Sequence, residues 1–165
     1  MINRCLDVEL HTICDIINDG AQAYRDVIPK DAWHEPYMSQ EELSTEIHAG
    51  VGFWGYYVYR RLVGVMGVQD KQDATLIRHG YVLANQRHNG IGTRLLKYLE
   101  HETSKPILIG TWAKAGWAIE FYKKNGYRLA SSEEHGMLLN KYWSVPQNQA
   151  NASVVLIDTR WVRGG

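Results

Sequence analysis

The stretch Gln86–Leu96, QRHNGIGTRLL, constrains this chain more than any other. Gly90 and Gly92 sit one residue apart, directly before apolar positions (Ile91, Leu95, Leu96, Leu99) that share one helical face. The strand-like YVL at Tyr81–Leu83 precedes them. A strand-to-helix turn of this kind leaves backbone N–H groups free and directs the positive end of the helix dipole at them, so it suits an anion. Glycine allows a ligand close approach to the backbone. Arg87 can add a charge-assisted contact and Thr93 a hydroxyl in the first turn. The same glycines would also serve a tight turn that binds nothing, so the surrounding sequence has to decide. A Walker loop needs Gly-Lys-Ser/Thr, which is absent. A dinucleotide fingerprint needs a third glycine where Leu95 stands.

The 165 residues suit a single domain, residues 1–165, and 45% hydrophobic residues suffice for a full core. Lys+Arg and Asp+Glu number 18 each, so nothing recommends nucleic acid as partner. The two cysteines, Cys5 and Cys14, are too few for a disulfide framework or a zinc site and read as small core residues; no metal is expected. The N-terminus lacks a signal-peptide core, and no later run approaches membrane-spanning length. The expectation is therefore a reduced, cytoplasmic protein with no membrane partner.

The hydrophobic pattern gives an α/β (α+β) order. Ile2–Leu6 is a short strand. Leu10, Ile13, Cys14 and Ile17 recur at helical spacing, with a break expected at Asp19-Gly20. Residues 21–38 are irregular and aromatic. Ser39 with Glu42 forms a capping box for a helix to about Ala49. Phe53–Arg60 and Leu62–Gln69 read as a hairpin and Ala74–Leu83 as a further strand, where Gly80 implies a bulge or a close backbone approach. Pro106–Thr111 is a wholly apolar strand suited to a sheet centre. A helix through Trp117–Tyr122 stops at Asn125-Gly126 with a left-handed cap. Tyr127–Leu129, a helix from Ser131 (with Glu134 in its capping box) to about Tyr142, and a strand Ser153–Trp161 complete the chain.

Taken together, YVLANQRHNGIGTRLLKYLE, WAIEFYKKNGYRL (Trp117–Leu129) and RRLVGVMGV resemble the pyrophosphate-binding segment, the Ala-x-x-Phe/Leu-Tyr helix and the central hairpin of the GNAT superfamily of acyl-CoA-dependent N-acetyltransferases. The likeness covers roughly residues 50–130. It implies a central mixed, mostly antiparallel twisted sheet of about six to seven strands flanked by helices, with splayed central strands. It also implies acetyl-CoA as cosubstrate, gripped by Arg87, His88, Asn89, Gly90, Ile91, Gly92 and Thr93, with its pantetheine arm along Tyr81, Val82 and Leu83. His88 and Asn89 stand where the family often has a small residue and a cation. Ala115 stands where it often has Asn.

Amide formation from a thioester needs a deprotonated amine, a stabilised oxyanion and a proton for the leaving thiolate. With amine and thiol pKa values near ~10 and ~8.5, both proton steps gain from placed groups. The resemblance puts Tyr122 in place as proton donor and catalytic residue, also lining CoA, and the Val82 amide at the thioester oxygen. The strand TLIRHGYVL has no carboxylate, leaving His79 as the one residue there that titrates near neutrality and thus the candidate base. Tyr122 as a core aromatic and His79 as an ordinary strand side chain are the plainer alternatives. For the acceptor, a small-molecule or peptide primary amine, Trp33, Glu35, Tyr37 and Arg78 are the candidate contacts, with Tyr142 and Trp143 closing the other side. Glu35 could hold an ammonium, and Trp33 or Tyr37 could cover it by cation–π contact. Direct transfer in a ternary complex is the leading reading. A non-catalytic acyl-CoA sensor or docking module is the alternative. A C-terminal edge strand leaves room for a homodimer.

Overall fold

A computed structural model describes residues 1–161. Seven strands form one sheet in the order β1-β2-β3-β4-β5-β7-β6. They are β1 (Ile2–Arg4), β2 (Val51–Val58), β3 (Arg61–Asp70), β4 (Thr75–Val82), β5 (Ile107–Trp112), β6 (Arg128–Leu129) and β7 (Ser153–Ile157). All neighbouring pairs are antiparallel except β4 with β5. The helices are α1 (Leu10–Ala21), α2 (Gln40–His48), α3 (Ile91–Glu102), α4 (Gly116–Lys124), α5 (Ser132–Tyr142) and α6 (Gln147–Asn151).

The helices cover both faces of the sheet. On one face Ile13, Cys14 and Ile17 of α1 and Leu43 of α2 pack on Phe53 and Val65. On the other, Ile91, Leu95, Leu96 and Leu99 of α3 pack on Val63, Ile77, Ile107 and Ile109. Strand β3 is buried over Leu62–Gly67 because both layers press on it. A third cluster joins Leu138, Leu139 and Tyr142 of α5 to Leu108, Val155 and Ile157.

The expected helix caps form. Ser39 Oγ accepts from the Glu42 amide, and Ser131 and Glu134 make a full capping box. Gly126 stops α4 at φ +96°. Three expectations need correction. Helix α1 does not break at Asp19-Gly20 but runs on to Ala21, because Gly20 is a contact glycine: a Cβ there would meet Tyr81 Cδ1 at 2.7 Å. The last strand stops at Ile157, not Trp161, since Asp158 turns the chain by accepting from Ile107 N and Arg160 Nε. That strand is internal, between β5 and β6, so it is no edge for a second copy. The short helix α6 lacks an apolar face in the sequence and went unread. Cys14 is buried, whereas Cys5 is half-buried. Among the described residues no helix is long and apolar enough to cross a membrane.

Candidate active site

Sheet register creates the site. Strand β4 pairs with β5 only through Thr75↔Ile107, Leu76↔Leu108 and Ile77↔Ile109. Beyond Ile77 the two strands part. On the β3 side, Gly67 faces Arg78 and Val65 faces Tyr81, so Met66 alone opposes both His79 and Gly80. This is a β-bulge, which bends its strand. The bulged residue in the left-handed region is His79 (φ +54°), not glycine. Gly80 serves close approach instead: a Cβ there would lie 3.2 Å from Met66 Cε and 3.5 Å from Tyr122 Oη. Strain of this kind is held by the surrounding structure and collects at functional sites.

Past the bulge, the Leu83 amide donates to Val63 O at 2.9 Å. Successive residues of a strand present their amides to opposite sides, so the Val82 N–H faces away from β3 into the gap. The Leu83 amide is thereby committed to β3. Helix α3 starts where that gap opens. Gly90 is its N-cap at φ +75° with no side-chain cap, leaving the first-turn amides of Ile91, Gly92 and Thr93 for a ligand. A concavity of about 250 Å³ at this turn is lined by Val82, Arg87, His88, Gly90, Gly92 and Thr93, among others. Arg87 also donates from Nη2 to Gly20 O at 3.2 Å, tying the turn to α1. His88 is exposed at φ +66°, and Asn89 Nδ2 donates to Gln86 O within the loop. The turn is thus mainly backbone with one nearby guanidinium.

A second cleft, of about 200 Å³, lies in the gap between the strands. Arg78, His79, Gly80 and Tyr81 of β4 form one wall; Gly110 and Thr111 of β5 form the other; Tyr24, Tyr37, Tyr122 and Trp143 close it. Trp143 packs on Gly110, where a Cβ would lie 3.5 Å from Cζ2. Asn148 of α6 donates to Asp31 at 2.5 Å, joining the 21–38 loop to the opposite rim. Burial pushes up the hydroxyl pKa values of Tyr24, Tyr37, Tyr81 and Tyr122, so all four stay protonated at neutral pH. Among the described residues Tyr122 Oη has no hydrogen-bond partner, although the ring is buried in the core against Phe121 and Tyr127.

A carboxylate, absent from β4 in the sequence, reaches His79 from α2. Glu46 Oε1 lies 2.8 Å from His79 Nε2, with both side chains largely buried. Burial raises the Glu46 carboxyl pKa, but the hydrogen bond from His79 and the charges of His79 and Arg78 outweigh this, and the net shift is downward. The sequence reading missed Glu46 because it lies 33 residues from its partner. It missed Tyr24 because nothing local separates that tyrosine from the rest of the aromatic loop.

The other expected acceptor residues divide. Tyr37, Arg78 and Trp143 line the cleft. Trp33 does not; it stacks on Tyr37 with centroids 5.5 Å apart. Glu35 is exposed and faces Arg25 at 3.8 Å. Tyr142 points into the third cluster and donates to Asp73 at 2.6 Å. Among the described residues no group of three or more His, Cys, Asp or Glu could hold a metal.

Residues 18–138 match the family model of the acetyltransferase (GNAT) domain. The chain belongs to the GNAT acetyltransferase family. Its fold is also that of solved members. The PaiA N-acetyltransferase of Thermoplasma acidophilum, in complex with coenzyme A, has a TM-score of 0.74 at 17% identity over 96% of this chain and 97% of that one. A GNAT acetyltransferase of Staphylococcus aureus has a TM-score of 0.68 at 17% identity over 96% and 97%. Aminoglycoside 6′-acetyltransferase type Ii has a TM-score of 0.64 at 21% identity over 99% of each chain. No curated protein sequence matches. Acetyl-CoA is the cosubstrate of GNAT acetyltransferases, and the α3 turn and the β4/β5 gap fit its pyrophosphate and its amide-bearing arm.

Proposed function

We propose that the chain transfers an acetyl group from acetyl-CoA to a primary amine by direct attack in a ternary complex. One observation carries this reading: bulged β4 lines a cleft with His79, Tyr122 closes that cleft, and Val82 farther along the same strand lines the concavity of the α3 turn. The thioester is the acetyl source. The Val82 N–H stabilises the oxyanion that forms when the amine nitrogen adds to the carbonyl carbon. His79 takes the proton from that nitrogen, directly or through one water. Glu46 is a positioning residue that fixes the imidazole through the 2.8 Å hydrogen bond. Tyr122, protonated because it is buried, gives its proton to the sulfur as the C–S bond breaks. The α3 turn holds the pyrophosphate through the free amides and Arg87.

Three measurements on the purified protein test this. Acetyl-CoA should raise the melting temperature and quench tryptophan fluorescence, and thiol release should appear over a panel of primary amines. Binding without thiol release from any amine would leave only an acyl-CoA sensor. No response at millimolar acetyl-CoA would remove both readings.

A further inference from the structure

The acceptor end of the cleft has an unusual charge balance for a site that receives an amine. A cationic acceptor would ordinarily be met by carboxylates, yet no Asp or Glu lines the cleft. The ionisable groups there besides tyrosines are Arg78 and His79. Arg78 is half-buried and held in a fixed direction. Its Nε donates to Gln69 Oε1 at 2.9 Å, and Gln69 Nε2 in turn donates to Ala49 O at 3.2 Å, which sets the orientation of the amide. Among the described residues, neither Nη of Arg78 has a hydrogen-bond or ion-pair partner. Glu46 is near enough to favour the Arg78 charge, but its hydrogen bond goes to His79.

A half-buried guanidinium with one edge anchored and the other open is a fork for a planar anion. We infer that the amine acceptor carries a carboxylate that pairs with the open edge of Arg78, as in a free amino acid, and that Arg78 selects it over polyamines and over amines lacking an anion. The inference rests on the acetyltransferase reading and specifies its acceptor. Trp143 and Tyr37 offer aromatic surface to the rest of the molecule, which favours an apolar side chain.

Matched acceptors test this: L-phenylalanine, L-phenylalaninamide, phenethylamine and spermidine, assayed by thiol release, with binding in the presence of CoA read from tryptophan fluorescence. L-Phenylalanine should exceed its amide and phenethylamine by at least about tenfold in kcat/KM, and spermidine should be the poorest. Arg78→Gln should raise KM for L-phenylalanine about tenfold or more, leave kcat within about threefold and keep acetyl-CoA affinity, so that acid and amide become equivalent. Arg78→Lys should restore part of the preference, because it returns the charge without the fork. The inference is overturned if spermidine or phenethylamine is preferred, if Arg78→Gln leaves the preference intact, or if acetyl-CoA binds but no carboxylate-bearing amine binds or reacts. Failure to bind acetyl-CoA at all would strike at the acetyltransferase reading instead.

Discussion

The two ends of the cleft are built in different ways. On the proposed reading the donor end is a single local turn, Arg87–Thr93, which offers mainly backbone amides freed by Gly90 at the start of α3. The acceptor end, on the same reading, is an assembly of side chains: Tyr24 and Tyr37 from the first long loop, Arg78 and His79 from the bulge, and Trp143 after α5, with Glu46 of α2 behind His79. A backbone cradle would tolerate substitution of its side chains, at His88 and Asn89 among others. A side-chain assembly changes its ligand when one member changes. This contrast suits an enzyme family with one donor and many acceptors.

The sharpest break in the comparison comes where the two ends meet. Tyr122→Phe should lower kcat by about 10²-fold or more while the affinity for CoA stays constant, measured by single-turnover kinetics and calorimetry. An unchanged kcat would remove Tyr122 from proton transfer. Next, Glu46→Gln should lower kcat about tenfold with unchanged KM for acetyl-CoA and an unchanged melting temperature, and Glu46→Asp should recover part of the loss. A fall in melting temperature that matches the loss of activity would make the pair merely structural.

The donor end predicts a smaller effect with the opposite signature. Gly90→Ala forces a Cβ onto φ +75° with no steric neighbour, so it should cost about 1 kcal/mol of stability and weaken CoA binding several-fold without altering the acceptor preference. The smallest effect on activity is expected away from the cleft, at the start of α5. The buried Glu134 carboxylate accepts two bonds from Arg128 at 2.9 Å, and Arg128, with the Ser131 amide, holds its pKa down at about 2 against the usual 4.5. A carboxyl depressed in the folded state stabilises fully above its unfolded value, so this contribution should be whole above pH 4.5 and lost as pH falls toward about 2. Glu134→Gln should cost about 2 kcal/mol in urea unfolding at pH 7, and the gap from the parent should narrow on acidification.

The sequence determined many of the features that depend on residues near one another in the chain. The helix N-caps at Ser39 and Ser131, the Gly126 stop, the glycine turn and the Phe121-Tyr122 helix are local patterns with local physics, and they were enough to point to the family. Sequence order also placed an irregularity at Gly80. Tertiary structure decided what that irregularity is: a bulge whose left-handed residue is His79, with Gly80 left small for Tyr122. It decided that Gly20 continues α1, because only the packed sheet brings Tyr81 against it. It withdrew Glu35, Trp33 and Tyr142 from the cleft lining and supplied Glu46 and Tyr24. Hydrogen-bond partners 33 residues apart leave no periodic trace, since their distance is set by how α2 lies across the bulged strand and not by any spacing along the chain.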